Sequence, residues 1–253
     1  MTFEYPVPEQ VSLLKQLWQI TFGDTEEFLA AFFAAAYAPL RCRIAREKDE
    51  TLGMLYWFDV TCREQKMAYL YAVATHPDHR GKGVCRRLMA DTHTLLKNSG
   101  YEGALLVPQT DQLREMYAAF GYRNCTTVAE TFCAAGSAPT QLHRIDRDEY
   151  ARLRRQFLPE GSVIQEGENL RFLETQSQFY RGADFLLAAQ RVDGDTLFGT
   201  ELLGSADAAP AILKSLGYSQ GTFRTPGDKQ CFAMFLPLTN HATAPDYFGI
   251  PFD

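Results

Sequence analysis

Arg80-Gly81-Lys82-Gly83-Val84-Cys85 separates an apolar, strand-like run, Tyr69 to Thr75, from a helix-like run, Val84 to Ser99. A strand, a tight basic turn and a helix start together make an anion site. The first turn of a helix presents backbone N–H groups without partners inside the helix, and its dipole favours negative charge. Gly81 and Gly83 allow left-handed backbone and close approach of a ligand. Arg80 and Lys82 add positive charge. The natural guest is a phosphate or diphosphate.

Two common phosphate motifs do not fit. A P-loop requires G-x-x-x-x-G-K-[ST], but Gly83 follows Lys82 and no hydroxyl stands ready for magnesium. A dinucleotide fingerprint counted from Gly81 puts Arg86 at its third glycine, where a large side chain blocks close helix–strand packing. The stretch resembles the coenzyme A loop of the GNAT N-acyltransferases, Q/R-x-x-G-x-G/A. Arg80 matches its first position and Gly83 its fourth, while Cys85 stands at the last, where the family has Gly or Ala. The approach Val73-Ala74-Thr75-His76-Pro77 resembles the family's strand and V-x-P turn. Met116-Tyr117-Ala118-Ala119-Phe120-Gly121-Tyr122 resembles its L-Y-x-x-x-G-F/Y motif. The resemblance covers residues 1–135.

The chain has 253 residues, 46% of them hydrophobic, enough for one or two domains with a sizeable core. No apolar stretch approaches the roughly 20 residues that cross a bilayer, and the richest, Phe28 to Leu40, lacks the flanks of a signal peptide. The expected location is the cytoplasm, without membrane association. Six cysteines are scattered with no C-x-x-C pair, so the expectation is reduced thiols and no metal. His76 and His79 flank the loop without a third ligand at recognisable spacing. A net charge of −6 disfavours a nucleic-acid surface and suits a cationic acceptor.

Periodicity and capping signals place helices at Val11 to Phe22, with Gly23 as a stop, and from Asp24 or Thr25 to Tyr37. Strands are expected at Arg41 to Arg46, Leu52 to Cys62 and Lys66 to Thr75. After the long helix come a strand at Ala104 to Val107, a short helix from Thr110 or Asp111 to Gly121, and a strand at Arg123 to Cys133. This order resembles the family's mixed α/β sheet with helices on both faces.

Ala134 to Pro139 reads as a linker, which divides the chain into 1–135, a GNAT domain, and 136–253, a smaller α/β domain. In the second part, helices are expected at Asp146 to Phe157, Leu170 to Phe179 and Ala208 to Leu216. Strands are expected at Ala183 to Val192, Thr196 to Leu202 and Cys231 to Leu236, the first two joined by an Asp193-Gly194-Asp195 turn. Lys214-Ser215-Leu216-Gly217-Tyr218 echoes Ala118-Ala119-Phe120-Gly121-Tyr122. The second half therefore resembles a reduced GNAT repeat, one without a coenzyme A loop.

The family resemblance implies transfer of an acetyl group from acetyl-CoA directly to a primary amine, without a metal. It implies coenzyme A contacts at Val73, Ala74, Thr75, Arg80, Gly81, Lys82, Gly83, Val84 and Cys85. The pantetheine arm enters a gap beside the strand ending at Thr75, and a backbone N–H near Val73 polarises the thioester carbonyl. Tyr117 is the implied acid for the leaving sulfur; a phenol with a pKa of about 10 holds its proton at neutral pH. The base is open. The strand Lys66 to Val73 has no carboxylate. Glu26, Glu27 and the C-terminal carboxylate after Asp253 are candidates. Tyr69 and Tyr71 share a face that lines an acceptor cavity or packs in the core. Cys85, at a helix start among cations, is either a small filler or a thiol of lowered pKa able to accept an acyl group.

The alternative from another class is a non-catalytic acyl-CoA-binding module. A third reading gives the second part a role in dimerisation or in closing the acceptor site. Monomer and homodimer both stay open, and so does the acceptor: a small-molecule amine or a peptide.

Overall fold

A computed structural model describes residues 1–252. β1 (Thr2–Glu4) opens the chain, followed by α1 (Val11–Phe22), α2 (Glu26–Ala35), β2 (Cys42–Glu47), β3 (Glu50–Cys62) and β4 (Gln65–Thr75). α3 (Val84–Asn98) leads to β5 (Gly103–Leu106), α4 (Asp111–Ala118) and β6 (Arg123–Asn124). Then come β7 (Thr127–Ala134), β8 (His143–Ile145), α5 (Arg147–Phe157), α6 (Glu168–Glu174) and β9 (Gln178–Arg181). β10 (Phe185–Asp193), β11 (Thr196–Gly204), α7 (Ala209–Leu216), β12 (Gln220–Pro226), β13 (Gln230–Cys231) and β14 (Met234–Pro237) complete it.

The expected caps form. Gly23 closes α1 at φ 76°, a left-handed value that glycine takes without strain. The Thr25 hydroxyl accepts from the Phe28 N–H at 3.2 Å, which settles the start of α2 in favour of Thr25 over Asp24. Thr110 caps α4 and Asp146 caps α5 in the same way. Asp193 pairs with Thr196 across the expected hairpin turn.

The chain forms two compact units: Met1–Arg123 with Met234–Ala244, and Asn124–Ala233 with the tail from Pro245. The sheet of the first unit runs β1-β2-β3-β4-β5-β14-β6. Its two faces differ in chemistry because strand side chains alternate. Leu55, Trp57 and Leu70 pack with Val84, Leu88, Met89 and Leu96 of α3. Tyr56, Phe58, Tyr69 and Tyr71 face the other way and form a cluster of rings with Trp18 of α1 and Phe32 of α2.

The second sheet runs β8-β9-β10-β11-β12-β7-β13, the same plan position by position. β4 and β5 are parallel across α3, and β11 and β12 are parallel across α7. The second unit therefore repeats the strand order of the first, but the sequence echo that suggested a repeat aligns differently. α7 is the crossover between parallel strands and corresponds to α3, so Gly217-Tyr218 corresponds to Gly100-Tyr101. Both glycines are left-handed, at φ 79° and 80°, and both tyrosine N–H groups donate back into the helix, to Leu213 and Leu96. Only three residues, Gly227 to Lys229, stand where α4 lies in the first unit.

Three expectations fail. Arg123 to Cys133 is not one strand: β6 joins the first sheet, and β7 pairs with β12 in the second. Cys231 to Leu236 likewise splits, and β14 pairs antiparallel with β5, Met234 opposite Leu106. Local pattern reveals that a segment is extended but not which distant strand accepts its hydrogen bonds. Leu170 to Phe179 is helical only to Glu174 and then becomes β9, whose pairing with β10 outweighs local helix preference.

The second unit buries an ion pair. Arg154 and Glu201, 2% and 0% exposed, meet at 2.6 Å, and Tyr150 and Tyr247 both donate to the same carboxylate. Tyr247 belongs to the tail, so the tail is tied into this unit by a buried charge.

Gly103→Val should cost about 2–3 kcal/mol in urea unfolding, because a Cβ on Gly103 would overlap the Phe235 ring of β14. Glu201→Gln should cost about 3–5 kcal/mol by the same measurement, because it leaves the Arg154 charge buried without a counter-charge.

Candidate active site

β4 pairs with β3 to its end at Thr75, but with β5 only at Met67, Ala68 and Tyr69. Beyond Tyr69 the two parallel strands part, and one edge of β4 has no strand partner. At the same place β4 bulges: Tyr71 pairs with Tyr56 and Ala74 with Met54, so one residue of β3 faces two of β4. Ala72, in the bulge, has φ 50°, a left-handed value costing an L-residue about 1–2 kcal/mol. Alanine carries no sequence signal for a left-handed bulge, so it was not foreseen.

The loop after β4 returns to this fork. Gly81 and Gly83 lie at φ 73° and 74°, and a Cβ on either would meet open space. Their role is therefore the hand of the backbone, not room. Gly83 is the N-cap of α3, and no side chain caps the first-turn N–H groups. The Arg80 side chain donates to the Thr75 carbonyl at 3.3 Å, bringing the loop against the end of β4. Arg87, one turn into α3, donates to the carbonyls of Lys82 and Gly83 at 3.2 and 3.4 Å. The sequence reading missed Arg87, although its spacing of four from Gly83 is the available signal. His79 and Glu50 meet at 2.9 Å beside the loop. The hydrogen bond to His79 leads in holding the Glu50 carboxyl below its ordinary range, with the charges of His79, His76 and Lys82 adding to it.

Tyr117 lies on α4 in the α3-side core, 7% exposed, with its ring against Phe120 and Tyr122. Its hydroxyl hydrogen-bonds to no described residue. Burial, with Cys85 close by, pushes the phenol well above its ordinary value, so it stays protonated. Cys85 departs from the reactive-thiol reading. Burial against the α3-side core pushes its thiol up to about 11, and desolvation overrides the helix start and nearby cations. Next to Tyr117, His93 and Tyr122 meet at 2.8 Å, and burial pulls the imidazole down to about 4.

Val73, Ala74 and Thr75 thus line the free edge of the fork, Arg80 to Cys85 curve over its mouth, and Tyr117 stands beside Cys85. Glu26 and Glu27 are exposed in the first turn of α2, where helix N–H groups and Thr25 hold Glu27 below its ordinary range. The C-terminal carboxylate belongs to Asp253, outside the described residues. No group of three or more potential metal ligands occurs among the described residues, and no helix there is long and apolar enough to cross a membrane.

The first unit is thus a mixed α/β sheet that forks at a bulge, with a cationic helix start at its mouth. Residues 7–125 match the family profile described as an acetyltransferase (GNAT) domain. Among solved structures, a GCN5-related N-acetyltransferase from Kribbella flavida is 17% identical with a TM-score of 0.70, over 92% of this chain and 70% of that one. Another from Anabaena variabilis is 15% identical with a TM-score of 0.73, over 94% and 73%. A tandem GNAT protein from the clavulanic acid biosynthesis pathway is 11% identical with a TM-score of 0.60, over 95% and 99%. At these identities the likeness is one of fold. No curated protein matches the sequence.

Two measurements check the titrations. Cys85 should alkylate more slowly with iodoacetamide at pH 8 than the exposed Cys231, read by peptide mass spectrometry. An unfolded imidazole titrates near about 6.5. His93, lowered in the folded state, therefore stabilises fully above that pH and loses its contribution as pH falls toward 4. Urea unfolding should lose about 3 kcal/mol across this window, and His93→Gln should flatten that part of the profile.

Proposed function

We propose that this protein is an acetyl-CoA-dependent N-acetyltransferase that moves the acetyl group directly to a primary amine. The observation carrying this reading is the meeting of the forked β4 edge with the uncapped start of α3 across the Arg80–Gly83 loop. The first-turn N–H groups and the flanking cations suit a diphosphate. The edge of β4 that β5 leaves open from Val73 to Thr75 suits the amides of a pantetheine arm, and a β4 N–H at the bulge suits the thioester oxygen.

The neutral amine nitrogen attacks the carbonyl carbon. The C–N bond forms, the C–S bond breaks, and its electron pair leaves with sulfur. Tyr117 donates its proton to that sulfur; the proton shed by the new amide nitrogen passes to water, and the Tyr117 phenolate is reprotonated from water. Burial keeps the phenol loaded and lowers its acidity; the same burial raises the proton affinity of a thiolate beside it, so the transfer stays matched. β4 has no Asp or Glu from Gln65 to Thr75, so no base is assigned on that strand.

That missing carboxylate favours one alternative, a non-catalytic acyl-CoA-binding module. Calorimetry with acetyl-CoA and a thiol-release assay over an amine panel separate the two. The transferase should bind acetyl-CoA and release thiol, and Tyr117→Phe should lower kcat about 100-fold or more with acetyl-CoA affinity within about twofold. Heat of binding with no thiol release for any amine would support the binding module. Absence of any heat would remove both readings.

A further inference from the structure

We propose that the second unit holds a binding site for a small monocarboxylate, in a cavity between the edge strand β8 and the turn that joins α6 to β9. The site lies in the second unit alone and is independent of the acetyltransferase reading, which concerns the first. The cavity measures about 210 Å³. β8 is the end strand of its sheet and pairs with β9, Arg144 opposite Tyr180 and Ile145 opposite Phe179. α6 stops at Glu174, and the N–H groups of Gln176 and Ser177 turn back to the Leu173 carbonyl at 3.0 and 2.8 Å before β9 begins at Gln178. The bend and the edge strand line the cavity from two sides.

Three polar groups on the lining have donors to spare. Arg144 ion-pairs with no carboxylate among the described residues. Ser177 is 5% exposed, and its hydroxyl has no hydrogen-bond partner. Its N–H is already taken by Leu173, so the hydroxyl is the free group. A buried hydroxyl gives up water on folding and needs a replacement. Gln178 Oε1 accepts from the Tyr180 hydroxyl at 2.5 Å, which leaves Nε2 as a donor. A guanidinium, a hydroxyl and an amide N–H together suit the oxygens of an anion.

Charge decides which anion. Glu174 also lines the cavity, held by Arg147 at 3.4 Å. A single negative charge meets Arg144, whereas the second charge of a phosphate meets Glu174. Size and floor decide the rest. Ile145 and Phe179, both buried, supply apolar surface. An engineered apolar cavity of about 150 Å³ takes benzene. This cavity therefore takes a benzoate-sized acid, one carboxylate on one small apolar body.

The test uses the full chain and para-fluorobenzoate as the probe, followed by fluorine NMR without acetyl-CoA. The probe line should shift and broaden saturably as protein is added. Benzoate should displace it. Benzamide, the same shape without the charge, and inorganic phosphate should each compete at least about tenfold more weakly. Arg144→Gln should weaken probe binding about tenfold or more, the weight of one charge-assisted contact, and Arg144→Lys should weaken it less. Arg144 is exposed, so neither change disturbs the core. Ser177→Ala should weaken binding about threefold, the weight of one neutral hydrogen bond. An unshifted line, equal competition by benzamide, stronger competition by phosphate, or full-strength binding to Arg144→Gln overturns the inference.

Discussion

The parting of β4 from β5 after Tyr69 is the constraint on which the rest of the first unit depends. Two parallel strands that stay paired offer a ligand no backbone; two that separate expose a row of amides and carbonyls. The bulge at Ala72 accompanies the separation by putting an extra residue into β4 against β3. Everything assigned to the site is placed with reference to that opening. The Arg80 side chain ties the loop to Thr75, α3 points its first turn at the mouth, and Tyr117 approaches from the α3 side.

The second unit shows what the same plan becomes without those parts. β11 also departs from its parallel partner after Gly199, and a bulge at Thr200 again accompanies the departure. Yet Ser205 to Ala208 offers no cation and no left-handed glycine at the start of α7, and nothing replaces α4. Where β4 carries Tyr71 against Trp18, β11 carries Glu201 against Arg154 of α5. The carboxylate is consumed by Arg154, Tyr150 and Tyr247, so it serves cohesion and the seating of the tail. An architecture that leaves a strand edge open in one unit holds its own chain in the other.

Much of the site was legible in the sequence because its signals are local. Gly81 and Gly83 declare left-handed backbone, Gly23 and Thr25 declare helix ends, and Tyr69-Leu70-Tyr71 declares alternating faces. The charge state of a side chain is not local. In the sequence Cys85 reads either as a small filler or as a thiol activated by Arg80 and Lys82; burial against the core pushes its proton affinity up and so away from the activated reading. The distortion at Ala72 was hidden for a similar reason: alanine prefers no such conformation, and only pairing with β3 on one side and release from β5 on the other imposes it.

Strand partnership was the other thing beyond reach. The sequence by itself determined the left-handed turn at Gly81 and Gly83, the helix beginning at Val84 and the alternation in β4. Those follow from glycine φ preferences, capping chemistry and periodicity, which act within a few residues. Tertiary structure alone decided that β14 completes the sheet beside β5, that β7 lies beside β12, and that α7 answers to α3. A strand's hydrogen bonds are the same to any partner. The choice among partners rests on packing between segments far apart in the chain, such as Phe235 lying over the bare backbone of Gly103.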